Sequence, residues 1–195
     1  VNVHRVSGKP IGEHIARVAA GLFYREGIHL VGVDRVASEA EVTKRTLYRY
    51  YRSKDVLIAA ALRHVPRIRF PVDGTPAERI VGAFTAMRRY LAADDFRGCP
   101  YITAVSELID PKHPARVVVR EINAVRRAWF RDRAVEAGVS APEAFADQMD
   151  VLFDGAMSGA SKMHSDAPVN AAIAIVRTVL AAATTTPRRT AGSRN

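Results

Sequence analysis

Apolar residues recur at helical spacing along nearly the whole chain, and the two-residue alternation of a half-buried strand hardly occurs. Ile15, Val18, Ala19, Leu22 and Phe23 form one stripe, and Gly27 follows as a C-terminal cap. A short helix around 33–40 carries Val33, Val36, Ala37 and Ala40 on one side, and another begins after Thr43, an N-cap residue type. Ser53 caps a helix running to about Val65, with Asp55 in its first turn and Pro66 ending it. The proline-rich PRIRFPVDGTP (66–76) reads as a connector. Beyond it, Ile80, Phe84, Met87 and Leu91 mark a further helix, and RGCP (97–100) opens one carrying Tyr101, Val105 and Leu108. Val118, Ile122, Val125 and Trp129 stripe a long helix ending near Gly138, and Pro142 and Pro168 start the last two. The expectation is an all-α chain of about nine helices.

Charge divides this helical chain unevenly. Residues 1–69 hold 13 Lys/Arg against 6 Asp/Glu, whereas residues 70–187 hold 13 against 14, and the total is +9. Basicity concentrated in the first third, with three further arginines in the last eight residues, suits a polyanionic partner. The densest stretch is VTKRTLYRYYRSK (42–54), five cations and three tyrosines without an acid. It forms the second of two short helices joined by a tight turn, the layout of a helix-turn-helix whose second helix enters the major groove. Lys44 and Arg45 lie in its first turn, where free N–H groups and the positive end of the helix dipole also favour phosphate. At 100° per residue Lys44 and Tyr48 share a face with Arg45 beside them, while Leu47 and Tyr51 turn toward the other helices.

The order of two helices, Gly27, then Val42-Thr43-x-x-Thr46-Leu47-Tyr48-x-Tyr50-Tyr51-x-Ser53-Lys54, resembles the DNA-binding domain of the TetR family of transcriptional regulators over residues 11–60. The later helices agree in number and order with that family's ligand-binding and dimerisation domain. The resemblance implies base or phosphate contacts for Thr43, Lys44, Arg45, Thr46 and Tyr48. It implies a backbone contact for Tyr50, where many relatives have histidine, and a phosphate grip for Lys54. Glu41 stands where relatives have glycine, so a left-handed residue with an acidic side chain is expected in the turn. Val31-Gly32 stand where a capping Thr or Ser is common, and Asp34 suits the dipole but repels nearby phosphate.

The same resemblance divides the chain into a helix-turn-helix domain (1–52) and a ligand-binding and dimerisation domain (53–184), while the polar, arginine-rich composition of the end reads as a disordered basic tail (185–195). Phe84, Met87, Tyr101, Val105, Ile122, Val125 and Trp129 come from helices that in the family surround a small-molecule cavity. Each is equally explained as core. Their character implies an apolar or aromatic effector. Gly155-Ala156-Met157-Ser158-Gly159 and the Ala-rich run near 171–183 allow close helix approach, and the family pairs its last two helices as a homodimer. The fourth helix, about 53–65, is expected to carry the ligand signal to the reading helix.

The expected partners are thus a double-stranded operator, an effector and a second copy. No cofactor or metal is expected: the six histidines show no HExxH or paired metal spacing, and neither a G-x-S-x-G nor a phosphate-cradling glycine loop occurs. Asp150 and Asp154 form an i, i+4 carboxylate pair of the kind found on solvated faces or pocket edges. An enzyme is not expected. Cys99 is alone, which fits a reducing cytoplasm. No run of eighteen uncharged apolar residues occurs and the opening VNVHRVSGKPIGEH lacks an apolar signal region, so neither a membrane span nor secretion is expected. Three alternatives stay open: a ligand-independent DNA-binding protein, an activator of the same fold, or an apolar small-molecule binder whose basic end meets something other than DNA.

Overall fold

The computed structural model describes residues 11–93 and 96–185, and every regular element among them is a helix. These are α1 (Ile11–Glu26), α2 (Val33–Glu39), α3 (Lys44–Tyr50), α4 (Lys54–Arg63) and α5 (Pro76–Thr85). There follow α6 (Met87–Leu91), α7 (Pro100–Glu107), α8 (Pro114–Glu136), α9 (Pro142–Met163) and α10 (Ala167–Thr185). The helix expected through Ile80 and Leu91 is interrupted at Ala86, which keeps helical dihedrals (φ −63°, ψ −23°). There the Thr85 hydroxyl donates to the Val81 carbonyl at 3.2 Å, a back-bond that bends helices. Counted as one interrupted helix, α5 and α6 bring the total among the described residues to the nine expected. The basic tail expected from 185 onward lies outside the described residues, except for Thr185.

Local signals set the helix starts. Thr43 and Ser53 accept the backbone N–H of Thr46 and Val56, capping α3 and α4. Thr75 and Glu78 form a reciprocal capping box with Pro76 at the first position of α5, which holds the Glu78 carboxyl below its usual range. Gly27 takes φ 94° after α1, a conformation that costs glycine little.

The described residues fall into two compact units. One comprises 11–67 with 97–122, the other 68–93 with Phe96 and 123–185. In the first, α1 packs on α4, α2 and α3, around a core in which Ile15, Leu22, Val36, Leu47 and Leu57 are fully buried. The turn 27–31 and the segment 97–108 complete it. Tyr24 donates its hydroxyl to Gly98 O (3.1 Å) and accepts from Arg97 N (2.7 Å), and Glu107 accepts from Ile28 N (2.9 Å) and His29 N (3.2 Å). Residues far from the helix-turn-helix in sequence are therefore tied to it.

The second unit packs α10 on α9 and α5. Its core holds Ile80, Phe84, Met87, Phe130 and Met149, all with no exposed surface, and Phe70, Phe84, Trp129, Phe130 and Phe153 form an aromatic cluster. Ring centroids of 4.6–6.2 Å in tilted and edge-on pairs are the separations of a packed aromatic core.

Candidate nucleic-acid interface

Glu41 fixes the angle between the two short helices. Its N–H donates to Ser38 O (3.1 Å) and that of Val42 donates to Ala37 O (2.9 Å), the paired bonds of a Schellman motif closing α2. That motif needs a left-handed residue at its centre, and Glu41 takes φ 53° there. At the other end, α2 starts at Gly32 without a side-chain cap, as its sequence implies.

α3 is two-faced. Leu47 has no exposed surface, and Tyr51 just past the helix end donates its hydroxyl to Gly12 O at 2.7 Å. Tyr50 lies close against the same glycine: a Cβ at Gly12 would stand 3.0 Å from its ring. Glycine at position 12 lets the Tyr50 ring seat on α1 without the small shift that a Cβ would require. The opposite face is open. Lys44, Arg45 and Arg49 are exposed there and Tyr48 is 42% exposed, while Tyr50, at the edge of the Gly12 contact, also keeps 42% of its surface open. Arg49 stands 5.3 Å from the Tyr50 ring centroid. Thr43 and Thr46 are turned to one another with hydroxyl oxygens 2.9 Å apart, and Lys54 is half-buried in the first turn of α4.

Two features of this surface escaped the sequence reading. The Lys44 ammonium lies 3.0 Å from the carboxylate of Asp34, across the turn on α2. That hydrogen bond and charge raise the lysine pKa, with a further push from Tyr48 on the same face. The other is the grip of Glu107 on the α1–α2 corner, completed by the ring Nε2 of His29 donating to Glu107 O at 2.8 Å. Neither partner is within one helix of the other, so no local pattern signals them.

The seven ligand-site candidates are distributed over both units. Tyr101, Val105 and Ile122 pack, partly buried, on the first core. The Tyr101 hydroxyl is enclosed; burial pushes its pKa up while the charge and hydrogen-bonding of Arg67 work in the opposite direction. Phe84 and Met87 are fully buried in the second core, Trp129 is half-buried against Phe70 at 4.6 Å, and Val125 is 65% exposed. A cavity of about 20 Å³ between α1, α4 and α7, walled by Phe23, Ile58, Leu62 and Ala104 among others, has room for a water molecule rather than an effector. None of the seven lines it.

Asp150 and Asp154 both hold Arg126, at 2.5 and 2.8 Å, so their spacing serves an ion-pair triad. His113 caps α8 by accepting the Ala115 N–H at 3.1 Å and stands 3.3 Å from Asp55 at the start of α4. No group of three or more His, Cys, Asp or Glu placed to hold a metal occurs among the described residues.

Comparison with known proteins agrees with this geometry. The profile of the bacterial regulatory proteins of the tetR family matches residues 15–61, spanning α1 to α4. A solved structure from Streptomyces avermitilis, described as a TetR transcriptional regulator, is 34% identical, with a TM-score of 0.80 over 90% of this chain and 98% of that one. The TetR-family regulator SCO4454 of Streptomyces coelicolor is 27% identical, with a TM-score of 0.79 over 89% and 96%. Among curated proteins, the HTH-type transcriptional regulator YjdC of Escherichia coli is 21% identical over 86% of this chain and 92% of its own length. With an all-helical fold, a two-faced cationic α3 and a relative 34% identical over 98% of that relative's length, the chain belongs to the TetR family of DNA-binding transcriptional regulators.

Proposed function

We propose that this regulator is a homodimeric repressor, released from a palindromic operator when a small apolar or aromatic molecule binds the helices that follow α4. The observation that carries the reading is α3 itself, with Leu47 sunk in the core, Lys44, Arg45 and Tyr48 left on the open face, and Tyr50, seated against Gly12, still 42% exposed at its edge. Thr43, Thr46 and Lys54 flank that face and are assigned to base or phosphate contact with it. Arginine and lysine in a first helical turn can pair with guanine edges, and tyrosine and threonine hydroxyls reach phosphate.

Dimerisation is supported by the outward faces of α9 and α10. Residues Ala167–Thr184 have mean hydropathy 1.5, yet only 28% of them are buried within the chain. Ala171, Ala174, Ile175 and Thr178 recur at helical spacing on the exposed side of α10, and Val151, Gly155 and Ser158 do so on α9. A second copy seated there by a twofold axis would cover both stripes. The two α3 helices would then meet half-sites about one helical turn, roughly 34 Å, apart or a multiple of it. A regulator of this kind acts where the DNA is, so the cytoplasm is its expected compartment.

Effector binding is assigned to Phe84, Met87, Tyr101, Val105, Ile122, Val125 and Trp129. Trp129 is the only tryptophan of the chain, so its fluorescence reports occupancy near the aromatic cluster. Apolar and aromatic compounds that change this fluorescence are then titrated into free and operator-bound protein. Repressor release requires tighter binding to the free form, with a coupling of about 1–3 kcal/mol. Equal affinities for the two forms contradict it.

A further inference from the structure

The pair formed by Asp34 and Lys44 is unusual for its position. Asp34 is the second residue of α2 and Lys44 the first of α3, so the pair bridges the two halves of the helix-turn-helix on the exposed face assigned above to DNA. Both side chains are exposed, 73% and 54%, and the pair closes no core. The neighbouring Arg45 makes no ion pair among the described residues, so the carboxylate has singled out one of two adjacent cations.

We propose that Asp34 is a specificity-determining residue that holds Lys44 to the edge of a base and keeps it from the phosphates. An unpaired lysine ammonium at a helix start is a mobile point charge, and its natural partner on DNA is the nearest phosphate, which carries no sequence information. The Asp34 carboxylate at 3.0 Å competes with phosphate for the ammonium and biases its position above the first turn of α3. One of its three N–H donors serves the carboxylate, and the others remain for a neutral acceptor such as guanine O6 or N7. The acid that opposes phosphate binding therefore sharpens base readout. This rests on the assignment of Lys44 to the DNA face.

The test is selection from a randomised DNA duplex pool with the wild-type chain, Lys44→Ala, Asp34→Asn and the double variant. Helical circular dichroism and melting temperature serve as folding controls. The wild type selects a motif, and Lys44→Ala loses base preference at one position in each half-site. Asp34→Asn loses preference at that same position and keeps it elsewhere, and the double variant matches Lys44→Ala. For a mixed-sequence duplex Asp34→Asn binds about three- to tenfold more tightly at about 0.1 M salt, with a log–log salt slope steeper by about 0.9, one additional neutralised phosphate.

Two results overturn the proposal. One is retention by Asp34→Asn of the preference that Lys44→Ala loses; the other is an equal gain in affinity for selected and mixed duplexes. A Lys44→Ala variant that keeps every base preference removes Lys44 as a reader and the inference with it. A wild-type chain that selects no motif defeats the operator reading as a whole.

Discussion

Glu107 and Ile28 lie 79 residues apart in the chain and are joined by a 2.9 Å hydrogen bond from the Ile28 amide to the Glu107 carboxylate. The same oxygen accepts from His29 N, so the end of α7 holds the corner between α1 and α2 by two backbone N–H groups. Removing the acceptor leaves both amides without their charged partner. Glu107→Ala should lower stability by about 1–3 kcal/mol in urea denaturation, and Glu107→Gln by less because it keeps an acceptor. Hydrogen exchange of the Ile28 and His29 amides should accelerate in the alanine variant. Unchanged exchange would mean that the corner is held by packing alone.

Glu41 combines two effects that substitution can separate. Glu41→Gly removes the left-handed strain at φ 53° and should stabilise the chain by about 1 kcal/mol in thermal or urea unfolding. It also removes a negative charge beside the reading helix and should tighten DNA binding. Glu41→Gln removes the charge and keeps the strain, so it should tighten binding with stability unchanged. A glycine variant with unchanged or weaker DNA affinity would show that the side chain itself supports the turn.

Arg126 is the most enclosed charge of the second unit, with 11% of its side chain exposed, its guanidinium 4.8 Å from the Phe153 ring centroid and its charge matched by Asp150 and Asp154. Burial works against that charge, and the two carboxylates outweigh burial and raise its pKa. Arg126→Ala should cost about 1–3 kcal/mol because two partly buried acids, screened in part by solvent, lose their counterion. Combining Arg126→Met with Asp150→Asn and Asp154→Asn should recover part of this loss in the same denaturant titration.

Tyr51 and Tyr101 both have pKa values raised, chiefly by burial. A group whose folded-state pKa exceeds its unfolded value contributes stability that is fully present below the unfolded pKa, about 10 for tyrosine, and is lost as pH rises through the folded one. Stability measured from pH 8 to 11 should therefore fall at the alkaline end. Tyr51→Phe, which also loses the hydrogen bond to Gly12, should start lower and fall less steeply. An equal slope in the variant would remove Tyr51 as a source of the alkaline loss.

The sequence revealed what is set by neighbours along the chain. Thr43 and Ser53 stand directly before apolar stripes and cap the helices they precede. Glu41 falls in the turn where a left-handed residue is expected, and its backbone is left-handed. The burial of Leu47 follows from the 100° step between residues. What the sequence concealed depends on pairing between distant segments. Asp150 and Asp154 were visible as an i, i+4 pair, but their partner Arg126 sits on another helix. The Asp34–Lys44 bridge and the Glu107 grip were hidden for the same reason. The break at Ala86 went unseen because the apolar spacing of Phe84 and Met87 passes through it without interruption.

Whether α3 reads a twofold-symmetric DNA site is decided by footprinting the wild-type chain and the Lys44→Ala/Tyr48→Ala double variant on a duplex selected from a random pool. The wild type should protect two half-sites related by a dyad, spaced by about one helical turn or a multiple of it. The variant should leave no footprint at the same concentration, with helical content preserved. Equal protection by both proteins, or wild-type protection without a dyad, would contradict twofold readout by α3.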